Sequence, residues 1–147
     1  MKKNKQFCYE YPRPALSSDC IIFSKTGNDI KVLLIKRAYD PYKEFWAFPG
    51  GFVDPDETTL QAAKRELMEE TGIFADELTQ LQTFSDINRD PRGRVVSVIY
   101  YTFLEKPVNI KAGDDAKEVR WFSLSNVPAL AFDHAMILDF AGKKLFL

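Results

Sequence analysis

The order of local patterns along the chain predicts an α+β fold. Two β-rich runs come first, and a helical pattern with start and stop signals occupies the middle. Further β-rich runs then lead to a second helical pattern at the end. The 147 residues are 46% hydrophobic and include twelve Phe, enough to fill one core in a single domain over residues 1–147.

Residues 1–16 are polar, then aromatic and proline-rich, with Tyr9-Glu10-Tyr11-Pro12-Arg13-Pro14 in their second half. Proline fixes φ and biases its predecessor away from helix, so an extended segment is expected. It either lies along an edge of the sheet or presents Arg13, held between two prolines beside tyrosines, to a base or phosphate. Residues 18–24 and 30–36 read as strands, with the hairpin signal Thr26-Gly27-Asn28-Asp29 between them. A loop over 40–44 leads to the short apolar stretch Phe45-Trp46-Ala47-Phe48, which ends at Pro49-Gly50-Gly51. Two consecutive glycines let the backbone approach a ligand and expose a carbonyl.

The central helix begins where Thr58 and Gln61 have the spacing of a capping box, and Gly72 suits the left-handed residue that closes it. Leu60, Ala63, Leu67 and Thr71 form a stripe at i, i+3, i+7 and i+11 that can pack on a sheet. Glu66, Glu69 and Glu70 project together from another side, at i, i+3 and i+4. Like charges at that spacing repel by roughly 0.2–0.5 kcal/mol per pair. Glu69 and Glu70 also occupy the last turn, where the helix dipole disfavours anions. The plain interpretation is a solvated acidic face. The other is a divalent-cation site, because carboxylates are hard ligands suited to Mg²⁺ or Mn²⁺ and a cation turns the repulsion into attraction. Local rules broken repeatedly in one place mark function.

Residues 78–85 and 94–104 are β-rich, the second run being the longest expected strand. The loop between them brings Arg89, Arg92 and Arg94 within six residues, either as solvated charges or as bidentate ligands for a diphosphate. A strand over 117–123 and a helix over 135–145 complete the pattern, with Ile137, Leu138, Ala141 and Leu145 on the helix's apolar side. Asp133 is placed to cap that helix, and His134, the sole histidine, is expected to be structural. A net charge of −1 and a pI near 5.9 argue against a nucleic-acid partner. Cys8 and Cys20 lack metal-ligand spacing and are expected to be unpaired, buried thiols in a reducing cytoplasm. Met1-Lys2-Lys3 precedes no apolar signal-peptide core, and no apolar run reaches membrane-spanning length, so no membrane partner is expected.

From Gly51 the spacing is five residues, Glu57, seven residues, then Arg65-Glu66-Leu67-x-Glu69-Glu70-x-Gly72-Ile73. This resembles an intact Nudix box, with nine specified positions matched inside twenty-three residues. The resemblance implies an α/β/α sandwich with a mixed sheet between helices. It also implies divalent-metal-dependent hydrolysis of a nucleoside diphosphate linked to another group. Glu66 and Glu70 would bind metal with the Gly50 carbonyl, Glu69 would be a shared or more distant ligand, and Arg65 and Glu57 would orient the carboxylates. The cation, Mg²⁺ or Mn²⁺, would neutralise the bridging oxygens and acidify a water that a carboxylate then deprotonates. Asp114, Asp115 and Glu118 lie in or after a loop resembling the place where this superfamily supplies a further ligand or base, and the choice among them stays open.

Further stretches resemble the branch acting on ADP-ribose: Tyr11-Pro12-Arg13-Pro14, Trp46 to Val53, Arg89 to Arg94, Gly113-Asp114-Asp115-Ala116 leading to Trp121-Phe122, and Ala131-Phe132-Asp133-His134. That branch comprises bacterial ADP-ribose pyrophosphatases and the Nudix half of regulators of NAD metabolism. The resemblance implies conversion of ADP-ribose to AMP and ribose 5-phosphate, with Arg13, Tyr11, Arg37, Arg89 and Arg92 as candidate substrate-binding residues. The alternatives are hydrolysis of a dinucleotide cofactor, nucleotide sugar or damaged triphosphate, or non-catalytic sensing of ADP-ribose. The chain ends at Leu147, roughly where a regulator's winged-helix domain would begin, so no DNA-reading half is expected. The expected partner is a small-molecule nucleotide diphosphate, and a homodimer is left open.

Overall fold

A computed structural model describes residues 6–108, 110, 112–113 and 116–146. In chain order the elements are β1 (Ala15–Thr26), β2 (Asp29–Arg37), β3 (Trp46–Ala47), β4 (Gly50–Phe52), α1 (Thr59–Thr71), β5 (Thr79–Phe84), β6 (Val95–Leu104), β7 (Ala116–Ser123) and α2 (His134–Phe146). β1 and β2 form an antiparallel hairpin, but they pair only from Phe23–Val32 to Thr26–Asp29. Beyond that point they separate, and the chain returns to fill the split. β3 pairs with Ile35 and Lys36 of β2, while β4 pairs with Ser17, Ser18 and Asp19 of β1. The Gly50-Gly51 pair is thereby fixed inside the sheet, between its two central strands.

β1 also runs parallel to β6 from Ala15–Val95 to Ser24–Leu104, and β5 and β7 extend the sheet beside β6 and β2. The result is a seven-stranded mixed sheet. At twelve residues β1, and not the ten-residue β6, is the longest strand. It exceeds its expected length because Ala15, Leu16 and Ser17 keep pairing with Val95, Val96 and Ser97.

Side chains alternate across the sheet, and both faces are covered. On one face Ile21, Phe23, Val32, Leu34, Phe48 and Ile99 pack with Ile137 and Ala141 of α2. On the other Cys20, Ile22, Leu33, Val98 and Tyr100 pack with Ala63 and Leu67 of α1. Full burial of one such large apolar side chain stabilises by about 1.5–3 kcal/mol. These two layers around a mixed sheet form the α/β/α sandwich.

The helix α1 keeps its local signals. Gln61 N donates to Thr58 Oγ1 at 3.1 Å, and Thr58 N to Gln61 Oε1 at 2.8 Å. Gly72 closes the helix at φ 76°, with its N–H on the Met68 carbonyl. α2 starts at His134, but Asp133 does not cap it with its side chain: the carboxylate is paired with Arg89. Both cysteines are free, and only Cys20 is buried. Cys8 belongs to the exposed segment before β1, so the expectation of two buried thiols holds for one. No helix among the described residues is long and apolar enough to cross a membrane.

Candidate active site

The last two turns of α1 face β4, and the glycines there permit close approach. Gly50 N donates to Glu70 Oε1 at 2.7 Å. The Glu66 carboxylate lies directly over Gly51, where an added Cβ would stand 2.6 Å from Oε1. Arg65 reaches across the same side of the helix and uses every donor of its guanidinium. Nε and Nη2 bind Glu57 at 2.9 and 2.7 Å, Nη1 reaches Glu66 at 2.9 Å and Glu69 at 3.2 Å, and Nη2 also meets the Phe52 carbonyl at 3.2 Å. The Arg65 hydrogen bonds hold Glu57 below the usual carboxylate range, and the Glu57 contact raises Arg65 further.

Glu66, Glu69, Glu70, Gly50 and Gly51 line one wall of a cavity of about 230 Å³, with Arg37 and Arg92 also lining it. Among the described residues no three His, Cys, Asp or Glu side chains are gathered on a common point. The carboxylates are instead spread along the wall, two of them held by Arg65. Their donor chemistry is all hard oxygen, with a glycine peptide beside them, and it fits a divalent cation of the Mg²⁺ or Mn²⁺ type.

A second, narrower cavity of about 80 Å³ adjoins the first and shares Arg37, Gly50, Phe52, Glu70 and Arg92 with it. Arg92 is clamped at its mouth. Its Nε and Nη2 bind Asp90 at 3.0 and 2.8 Å, and its guanidinium lies 4.7 Å from the Phe52 ring centre and 5.0 Å from that of Phe132. Arg37 lies over the Phe132 ring at 4.9 Å. Phe132 holds this place with φ at 52°, a left-handed conformation that is a genuine outlier for a bulky side chain. Burial pushes Asp90 up, but hydrogen bonds from Arg92 outweigh it and leave the carboxyl low. Burial and the nearby Arg92 both lower Arg37.

The inner end of this cavity is a polar group inside the sandwich. Arg89 binds Asp133 through Nε at 2.9 Å and Nη2 at 2.7 Å, and Ser97 through Nη1 at 2.6 Å. Ser97 in turn shares a hydrogen bond with Ser17. His134 stacks on Phe48 at 4.6 Å and accepts the Phe48 N–H at Nδ1. Asp19 Oδ2 stands 3.8 Å from His134 Nε2. Burial lowers His134 to about 3, so this approach is no ion pair at neutral pH. Burial raises Asp19 to about 7 although Arg89 opposes the rise.

Residues 13–140 match the family model described as the NUDIX domain. The chain belongs to the Nudix family. This Nudix domain is 44% identical over 128 residues to ADP-ribose pyrophosphatase of Methanocaldococcus jannaschii, spanning 87% of the chain and 73% of that protein. It is 35% identical over 140 residues to the ADPR responsive transcriptional repressor NtrR of Acinetobacter baylyi, covering 92% of the chain but only 56% of the repressor. Its fold matches the NUDIX domain of Shewanella oneidensis NrtR, solved complexed with ADP ribose. There the TM-score is 0.86 at 31% identity, with 92% of this chain and 90% of the other covered. Nudix hydrolases use divalent metals.

The Nudix domain brings Glu57, Arg65, Glu66, Glu69, Glu70, Gly50, Arg37 and Arg92 around the two adjoining cavities. Arg89 also lines the inner one, but its fork is closed by Asp133 and Ser97, so its charge is offered more than its hydrogen bonds. Tyr11 is 70% exposed and Arg13 packs over the Tyr9 ring at 4.1 Å; neither lines these cavities. Glu118 pairs with Arg120 and stands opposite Lys36, and it lines neither cavity. Asp114 and Asp115 lie outside the described residues. Sequence reasoning missed Ser17, Asp19, Phe52, Ser97 and Phe132. One signal was available: Ser17 and Asp19 alternate in register with Ile21 and Phe23, so a polar pair continues a core-facing stripe.

The two buried groups His134 and Asp19 contribute to the pH dependence of folding in opposite senses. A histidine lowered from 6.5 to about 3 stabilises fully above pH 6.5, and that stability is lost as pH falls through the window to about 3. Asp19, raised from 3.8 to about 7, acts in the opposite sense, stabilising fully below pH 3.8 and losing this as pH rises to 7. His134→Asn can keep an acceptor for Phe48 N; it loses the stack on the Phe48 ring at every pH and removes the histidine's titration, so the pH slope isolates the latter. Relative to wild type, the variant is expected to gain up to roughly 1.4 kcal/mol per pH unit as pH falls through that window. Urea unfolding at several pH values measures it, and parallel curves would show that His134 is not held neutral.

Proposed function

We propose that this Nudix domain hydrolyses the diphosphate of ADP-ribose to AMP and ribose 5-phosphate with Mg²⁺ or Mn²⁺. The observation that carries the reading is one cavity lined by the three α1 carboxylates and Gly50 together with Arg37 and Arg92. A diphosphate requires both kinds of partner, a cation held by carboxylates and guanidiniums that meet phosphoryl oxygens directly. Glu66, Glu70 and the Gly50 carbonyl would hold the metal, with Glu69 beside them. When bound, the cation supplies charge neutralisation at the diphosphate and acidifies a water. Arg65 orients Glu66 and Glu69, and Glu57 fixes Arg65. Proton removal from the water falls to a carboxylate of the same wall. Arg92, clamped between two rings, offers a guanidinium already ordered before substrate arrives. The recessed site and the net charge of −1 suit a small nucleotide better than nucleic acid.

The similarity to the Acinetobacter repressor supports a second reading, a domain that binds ADP-ribose and reports it without turnover. The complete Arg65–Glu57–Glu66–Glu69 arrangement favours catalysis, since binding alone does not require it. The deciding assay is kcat/KM over a nucleotide panel with each divalent metal. ADP-ribose is expected to exceed NADH, ADP-glucose, diadenosine polyphosphates and 8-oxo-dGTP, with AMP and ribose 5-phosphate resolved by chromatography. Faster turnover of a competitor reassigns the substrate. Tight ADP-ribose binding with no turnover under any metal establishes the sensor.

A further inference from the structure

We propose that the inner polar cavity is a sugar subsite, in which Asp19 accepts hydrogen bonds from the vicinal diol of one ribose of the substrate. This rests on the reading that the ligand is a nucleoside diphosphate joined to a second sugar. Asp19 is 8% exposed, lines the cavity, and accepts no hydrogen bond among the described residues. Among the described residues Ser24 Oγ is the enclosed side-chain atom left without a partner; the Asp19 oxygens are not enclosed in that way, and the carboxylate opens onto the cavity as an acceptor for a ligand. Around it stand donors. Because His134 accepts at Nδ1, its neutral ring carries the proton on Nε2, toward Asp19. A hydroxyl oxygen about 2.8 Å from both groups closes their 3.8 Å gap, accepting from His134 and donating to Asp19. Ser17 and Ser97 line the same cavity and offer their hydroxyls to a second hydroxyl of the diol. Hydroxyls are both donors and acceptors, which matches this mixed lining better than a phosphate, an acceptor only, would.

Size separates the diol from the nucleobase. The cavity holds about 80 Å³, smaller than a cavity of about 150 Å³ that takes benzene, so the edge of a ribose suits it better than a purine. The cavity shares Gly50 and Glu70 with the metal wall, so a ribose here stays bonded to a diphosphate facing Arg92 and α1.

The test is calorimetric binding in EDTA of ADP-ribose and of two analogues, each lacking the 2′ and 3′ hydroxyls of one ribose. Wild type should bind one analogue about 10- to 100-fold more weakly, since a buried acceptor is left unpaired. Asp19→Asn should weaken ADP-ribose by a similar factor and bind that analogue about as wild type does. Wild type binding both analogues as tightly as ADP-ribose overturns the subsite, and this arm needs no variant to fold. So does Asp19→Asn retaining the full preference for the diol. If ADP-ribose fails to turn over, or another diol-bearing nucleotide binds in its place, while dependence on the diol persists, the substrate reading falls and the subsite stands.

Discussion

Glu70→Gln is expected to lower kcat on ADP-ribose by about a thousandfold, while the metal-free melting temperature stays level or rises. Glu70 is 4% exposed and receives the Gly50 N–H at Oε1. Glutamine keeps a carbonyl oxygen there and nearly the same volume, so the contact that ties α1 to β4 survives. The anion does not. Transition-state charge stabilisation by a bound metal amounts to several kcal/mol, and each 1.36 kcal/mol is about tenfold in rate. Stability moves the other way, because Glu66 and Glu70 stand four residues apart on α1 and like charges at that spacing repel by roughly 0.2–0.5 kcal/mol. Steady-state rates, metal titration and melts with and without Mg²⁺ measure the three effects. Undiminished activity, or an unchanged rise in melting temperature on adding metal, would take Glu70 out of the metal site.

The contacts that sequence patterns make legible are those whose partners lie nearby along the chain. Thr58 meets Gln61, Gly72 closes onto Met68, and Arg65 meets Glu66, Glu69 and Glu57, all within eight residues. Helical periodicity carries this information directly. The inner cavity is different. Arg89 meets Asp133 across 44 residues and Ser17 meets Ser97 across 80, contacts created by the parallel pairing of β1 with β6 and by α2 closing the far face. No local pattern encodes such a meeting. Asp133 therefore reads as a helix cap until Arg89 is seen to occupy its carboxylate. Likewise β4 is invisible as a strand, because Gly50 and Gly51 have poor β propensity and pair only where β1 and β2 part. Phe132 could be read as core; its strained backbone and the two arginines on its ring appear only in three dimensions.

Gly50→Ala and Gly51→Ala should fail in opposite ways, although the glycines are adjacent. A Cβ on Gly50 would lie 1.9 Å from Asp19 Oδ1 and 2.6 Å from both Asp19 Cα and the Ser18 carbonyl. Two of these atoms are backbone of β1, the strand paired on both sides, and they cannot move aside without breaking the sheet. Gly50→Ala is expected to lose about 3 kcal/mol or more of stability, a fall in melting temperature of roughly 6–12 °C. The atoms nearest a Cβ on Gly51 are all at the end of the Glu66 side chain, with Oε1 at 2.6 Å and Cδ at 2.7 Å. That carboxylate can swing away, so the fold should stay within about 1 kcal/mol of wild type. Activity should not survive the swing: a misplacement of about 1 Å in a reacting constellation can cost on the order of 10²-fold. If Gly51→Ala acts through Glu66, adding it to Glu66→Gln should lower kcat little further, because the two changes remove the same ligand. Melts and kcat for the two alanine variants and the double variant decide the matter. Full additivity, or a Gly51→Ala enzyme as active as wild type, would mean that Glu66 is not held in its working position by the space above Gly51.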